Sequence, residues 1–274
     1  MSDRADLALR LLGRFATFVL SVAVALGAWQ LFLVVFDVDD FNGRGPLDVW
    51  QHLVTDDGAM TNGSLLTVAE SRHQLWEASI TTLRDAGIGL VAGSIAAVAV
   101  AIAFTLWRSV EHTLLPMAMV LRSVPLVAMT PLIAVIFGRG LVGVAVIAGI
   151  VTFFPTLVNL TLALRSAPSE AVDLCHAYGA SSAQTLRKVQ LPVALPALFS
   201  SLRIAAPLAL VGALLAEWLA TGDGLGGLMQ LSMNSFQKDQ LWSGVFLVTV
   251  YSVGLYSLIG AVERVVLARF ADTV

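Results

Sequence analysis

The chain has 274 residues, 57% of them hydrophobic and only 13% charged, and its mean hydropathy is +0.83. A water-soluble domain carries about 25% charged residues to solvate its surface, so the composition excludes an ordinary soluble fold and points to an all-α integral membrane protein. A net charge of −3 without any Lys/Arg run excludes a nucleic-acid partner, and the single Cys175 excludes an intrachain disulfide or a multi-cysteine metal site.

Six continuous apolar runs are each about 20 residues long, the length that crosses roughly 30 Å of hydrocarbon at 1.5 Å per residue. Residues 1–14 form a tail carrying Arg4, Arg10 and Arg14, and residues 15–36 are the first run, Phe15 to Phe36, with no charged side chain. That run is longer than the 7–15 apolar residues of a signal peptide, so it reads as an anchor. Residues 37–87 then form an outer loop. Within it, Leu47 to Val54 is amphipathic, with Val49, Trp50, Leu53 and Val54 expected on one helical face lying at the membrane interface or packing on the first span. The second run spans Ile88 to Leu106, the third Leu114 to Phe137 and the fourth Leu141 to Leu164. A polar inner loop, 165–196, follows and is too long for a simple turn. The fifth run covers Phe199 to Ala220, Gly222 to Gly227 reads as a tight outer turn leading to a re-entry element, and the sixth run is Leu241 to Val262. Residues 88–262 thus make a five-helix core and 263–274 a second tail.

Orientation follows the Lys/Arg bias. Both termini in the cytoplasm puts Arg4, Arg10, Arg14, Arg108, Arg165, Arg187, Lys188, Arg264 and Arg269 inside, against Arg44, Arg72, Arg84, Arg139 and Lys238 outside. Pro116, Pro125, Pro131, Pro155 and Pro207 interrupt backbone bonding and bend their helices, as in a bundle lining a cavity or one bent only for packing.

The inner loop contains Asp173-Leu174-Cys175-His176-Ala177-Tyr178-Gly179-Ala180 and continues to Val189-Gln190-Leu191-Pro192. Gly179 is placed to end one short helix, Ala180 to Lys188 to form a second, and Leu191-Pro192 to stop the chain before the fifth span. Such a helix-turn-helix is a shape that a partner's groove grips. The segment resembles the Glu-Ala-Ala loop of permease subunits in binding-protein-dependent ABC importers: Glu-Ala-Ala, three residues, Gly, nine residues, then Ile-x-Leu-Pro. Gly179, Val189, Leu191 and Pro192 fall in register, Val replacing Ile. Asp173 then takes the Glu position and Leu174 and Cys175 those of the alanines, while the literal Glu170-Ala171 is three residues too early.

The resemblance extends from Trp76 to Phe270 through Leu121-Arg122-Ser123-Val124-Pro125, Thr130-Pro131-Leu132, Phe137-Gly138, Phe153-Phe154-Pro155, Leu195-Pro196-Ala197-Leu198 and Gly224-Leu225-Gly226-Gly227-Leu228. Together these are similar to the branch importing nitrate, sulfonates, taurine, and pyrimidine or flavin precursors. The resemblance implies the type I importer fold with six transmembrane helices in the cell inner membrane. It also implies a second permease subunit, with a homodimer expected, two cytoplasmic ATPase subunits and an extracytoplasmic solute-binding protein. The loop, through Asp173, Leu174, Cys175, Ala177, Tyr178, Gly179, Ala180, Val189, Leu191 and Pro192, would enter a cleft on the ATPase and carry its closure into the membrane. This chain has no Gly-x-x-x-x-Gly-Lys-Ser/Thr phosphate loop, so ATP and magnesium would be bound by the partner ATPase and no cofactor by this chain. The permease is therefore not itself expected to be an enzyme.

Charge within a span marks a functional position by default. Arg122 and Arg203 snorkel to the inner interface, pair between helices, or contact solute. Glu217, beside Trp218, lines the solute path or reaches outer water, and Asn159 is helix–helix glue or a ligand contact. His52, His73, His112 and His176 lack carboxylates at ligand spacing and read as surface or interface histidines, not metal ligands. The outer loop carries Asp37, Asp39, Asp40, Asp48, Asp56, Asp57, Glu70, Glu77 and Asp85 against three arginines, which repels anions and favours a neutral or cationic heterocycle. The alternative class is a secondary transporter driven by an ion gradient, which predicts internal repeats and acids at the midplane. No repeat is evident, and Glu217 is the one acid within the runs.

Overall fold

The computed structural model describes residues 2–39, 42–55 and 67–271. Asp40, Asp56 and Asp57 of the acidic loop lie outside the described residues. The helices are α1 (Ser2–Val35), α2 (Pro46–Val54), α3 (Val68–Leu106), α4 (Arg108–Ser123), α5 (Leu126–Phe137), α6 (Leu141–Arg165), α7 (Ser169–Ala177), α8 (Ser182–Thr185), α9 (Leu191–Ala216), α10 (Gly224–Asn234) and α11 (Lys238–Ala271). Among the described residues five helices are long and apolar enough to cross a membrane: α1, α3, α6, the continuous helix Ser182–Thr221, and α11.

Three expectations need correction. The third run is not one helix. Pro125 disfavours helical backbone at Val124 and supplies no N–H, so the chain breaks there into α4 and the short apolar α5. Second, the outer loop does not extend to residue 87: α3 begins at Val68, so its polar first half precedes the apolar run. Third, Leu191-Pro192 does not stop the chain. Residues Leu186–Gln190 form a π-helical turn in which the Leu191 N–H donates to the Leu186 carbonyl. The wider turn carries the helix past Pro192, and α8 and α9 become one helix.

The chain divides into two compact units. One comprises the residues up to His73 with Ser232–Ser243. Here Trp29 stacks on Trp242 with centroids 5.6 Å apart, and Trp242 Nε1 donates to the Asn42 carbonyl at 3.1 Å. Arg44 pairs with Asp239. α2 starts behind Gly45, whose N–H donates to Asp48 Oδ2 at 2.8 Å. It buries Val49 and His52, while Leu47, Trp50 and Val54 stay exposed. Of the expected quartet Val49 is buried while Trp50 and Val54 stay exposed, which contradicts packing of the whole face on the first span but not its placement at the membrane interface. His52 is buried and hydrogen-bonds Ser71 Oγ through Nε2 at 3.1 Å. Burial holds its imidazole below the ordinary 6.5, with Asp239 opposing and Arg72 reinforcing the shift.

The second unit is Gln74–Leu231 with the chain from Gly244 onward. Its core has two centres. Ala86, Ile133, Val144, Ile147, Ala209, Leu210, Ala213 and Ala216 form one. Ala97, Ala101, Phe104, Leu157, Leu160, Leu164, Leu186 and Ala194 form the other. The alanines let backbones approach closely, as membrane helices require in the absence of a hydrophobic drive between them. Ala148 marks a close crossing. A Cβ on Gly89 of α3 would lie 2.3 Å from Ala148 Cβ, and one on Gly212 of α9 2.6 Å from Ala148 Cα.

Candidate functional site

The inner loop folds as a pair of short helices. α7 buries no residue, and its C-terminus is closed by Gly179 at φ +73°, a left-handed conformation that glycine adopts without a Cβ penalty. The Ala180 N–H donates to the Cys175 carbonyl and the Gly179 N–H to that of His176, both at 2.9 Å, which makes a Schellman cap. α8 starts in a reciprocal cap: the Ser181 N–H donates to Gln184 Oε1 at 2.8 Å and the Gln184 N–H to Ser181 Oγ at 3.3 Å. The Ser-x-x-Gln spacing of that box is visible in the sequence. Asp173, Leu174, Ala177, Tyr178, Gly179 and Pro192 are exposed, with Tyr178 at 85%; Cys175, Ala180, Val189 and Leu191 are half-buried. At the end of α6, Arg165 pairs with Glu111 of α4, anchoring the start of this loop.

The residues expected along the solute path separate into three places. Arg203 pairs with Glu263 of α11 at 3.1 Å and lies 5.9 Å from the Tyr256 ring centroid, the interhelical pairing among its expected roles. Glu217 is fully buried and does not reach outer water. It opens a second π-helical turn, Glu217–Thr221, and its Oε2 accepts from Thr82 Oγ1 and from the Gly226 N–H, each at 2.9 Å. Thr82 Oγ1 in turn accepts from the Leu225 N–H at 2.8 Å. Glu217 therefore ties the glycine-rich turn to α3, with Gly222 and Gly224 at φ +80° and +64°. A Cβ on Gly224 would sit 2.3 Å from the Glu217 carboxyl carbon. Sequence spacing does not disclose this cluster, because Thr82 is 135 residues from Glu217. Neighbouring Trp218 is exposed, and its indole N–H meets the Gln230 amide oxygen at 3.1 Å.

Arg122 lies at the end of α4, exposed, beside a groove of about 530 Å³ lined by Pro125, Met129, Ile150, Phe154, Ile204 and Leu208. Asn159 is half-buried one turn beyond, on α6. Among the described residues no group of three or more His, Cys, Asp or Glu is placed to hold a metal.

Apolar helices with prolines inside them and an exposed helix pair between two of the long ones are the features to be set beside known membrane proteins. Residues 89–272 match the family described as binding-protein-dependent transport system inner membrane component, and the chain belongs to that family. It is 35% identical to the riboflavin transport system permease protein RibX of Chloroflexus aurantiacus, an alignment covering 57% of this chain and 59% of that protein. It is 29% identical to a probable ABC transporter permease protein of Haemophilus influenzae, over 87% of this chain and 91% of that one. Less similar relatives are named for formylaminopyrimidine, aliphatic sulfonate, taurine and nitrate transport. A chain of the MetNI methionine ABC transporter, solved in an inward-facing conformation, has the same fold, with a TM-score of 0.59 at 21% identity over 71% of this chain and 94% of that one. Membership of this family overturns the gradient-driven alternative.

Proposed function

We propose that this permease works as half of a transmembrane pair, receiving a small solute from an extracytoplasmic binding protein and driven by two separate ATPase subunits. The α7–α8 element carries the reading. It is exposed and closed by caps at Gly179 and Ser181, and it continues without interruption into a helix that ends at Thr221. A partner that moves α7–α8 therefore moves a membrane helix. Asp173, Leu174, Tyr178 and Gly179 face outward and make the contact, and both termini lie on the same side as this loop. ATP and magnesium belong to the ATPase. The acidic outer residues outside the spans favour a neutral or cationic heterocycle, and the riboflavin relative supports that class over sulfonates.

Tagged purification from native membranes in mild detergent, with mass spectrometry of what accompanies the chain, tests this reading. A stoichiometric ATPase bearing a phosphate loop is expected. Nothing lies within 4 Å of a Cβ built on Gly179, but its positive φ disfavours any side chain. Gly179→Trp should break the cap, crowd the partner's cleft and abolish ATPase binding and import while the protein still inserts. Normal uptake by that variant, or a chain that purifies alone and transports without ATP, overturns the reading.

A further inference from the structure

Four charged groups within the helices of the bundle have partners. Arg203 has Glu263, Arg165 has Glu111, Arg84 has Asp85, and Glu217 is held by Thr82 and Gly226. Arg122 has no acid partner among the described residues, and it lines the groove between α4, α5, α6 and α9. Arg122 closes α4 at the break before Pro125, within the third apolar run, and a charge at that depth is costly unless water or a ligand satisfies it.

The groove lies deep. Phe154 and Pro155 on its wall are about 20 Å from the start of α6 and about 16 Å from its end, at 1.5 Å per residue, so it opens near mid-span. Its volume of about 530 Å³ suits a small organic solute rather than an ion or a peptide. The break at Val124-Pro125 forms one side, and the proline inside α6 forms another.

We infer that this groove is a solute-binding station of the permease, and that Arg122 donates there to the carbonyl edge of a planar, uncharged heterocycle lying against Phe154, Pro125 and Pro155. The assignment rests on the importer reading and narrows its substrate class. The guanidinium repels a cation. A small oxyanion would need several donors to replace its hydration, and the groove supplies one charged group among apolar walls. A flat neutral ring with carbonyl acceptors satisfies both parts: the ring loses apolar surface to water, and the carbonyls take the guanidinium's forked donors. One such contact holds the solute loosely enough to leave, which a conducting site requires.

The test is a fluorescence titration of the complete importer in lipid nanodiscs, with riboflavin as the probe and taurine as the competitor. Saturable riboflavin binding is expected, weakened about 10- to 100-fold by Arg122→Gln. Arg122→Lys should restore part of it, and Arg108→Gln, at the far end of α4, should leave it unchanged. Ile204→Trp, at an exposed position on the groove wall, should fill the space and abolish binding while the complex stays assembled. Failure of riboflavin to bind, binding indifferent to both Arg122→Gln and Ile204→Trp, or displacement by equimolar taurine overturns the assignment. Whether an ATPase co-purifies is scored first. Its absence defeats the importer reading alone, and the titration then proceeds on the full chain by itself.

Discussion

The crossing of α3 and α6 predicts opposite outcomes for two glycine-to-alanine changes six residues apart on one helix. A Cβ on Gly93 would stand 2.1 Å from Thr152 Oγ1, 2.4 Å from the Gly149 carbonyl oxygen and 2.9 Å from Gly149 Cα. Two of those three atoms are backbone, so no side-chain rotation relieves the overlap. Restoring ordinary carbon–oxygen contact requires the helices to part by roughly 1 Å, in a core packed as tightly as a crystal. Separation also stretches the interhelical bond that Thr152 Oγ1 donates to the Gly89 carbonyl at 3.3 Å. Overpacking of this kind costs about 1–3 kcal/mol. At Gly87 a Cβ meets nothing within 4 Å, so alanine there gains helix propensity of up to about 1 kcal/mol. Tryptophan fluorescence during thermal unfolding of the detergent-solubilised protein should show Gly93→Ala melting several degrees below the parent and Gly87→Ala at or slightly above it. Equal shifts for the two variants would refute the claim that close backbone approach at this crossing holds the bundle together.

Glu217→Gln should alter transport while leaving ATPase association intact, because the change lies far from α7–α8. It places an amide N–H₂ where Oε1 has no hydrogen-bond partner, a cost of about 1–3 kcal/mol at a buried position. Vesicle uptake beside a pull-down checks this, and unchanged uptake would reduce Glu217 to a structural tie. The His52 imidazole is held below 6.5 by burial, so the unfolded chain takes up its proton at higher pH than the folded one. The stabilisation it gives is therefore complete above about pH 6.5 and declines as the pH falls below it. Hydrogen exchange across α2, corrected for intrinsic rates, should be faster at about pH 5.5 than at about pH 7.5, with the difference lost in His52→Gln. Exchange that accelerates equally in His52→Gln would assign the effect to another group.

The membrane class and five of the six apolar runs were legible because apolar length is set by the bilayer, independently of tertiary contacts, whereas the third run is broken at Pro125. The helix pair around Gly179 was equally legible, since its cap geometry is local: a glycine at positive φ, and a Ser and Gln three residues apart. What escaped the sequence was decided by packing. The Pro192 stop failed because one extra residue in the preceding turn accommodates the ring. The inward turn of His52 on α2 was not legible, because a residue polar by type goes inside only where the fold brings Ser71 to it. Glu217 looked like an acid near an interface, and only the fold brings Thr82 to it.

Each π-helical turn amounts to one residue inserted into an α-helix, and Ser182–Thr221 contains two, at Leu186–Gln190 and Glu217–Thr221. An α-helix advances about 100° per residue, so each insertion resets the angular phase of everything beyond it. Over a length of about 60 Å, the direction in which α8 points is thereby indexed to the direction in which Glu217 points. Deleting a single residue within Leu186–Gln190 would leave hydrophobicity and length nearly unchanged, yet it would turn the helix pair by more than a quarter of a revolution against the bundle. The length of this connection is consequently constrained to the residue, even though Arg187 and Lys188 within it are exposed and only Leu186 is held in the core.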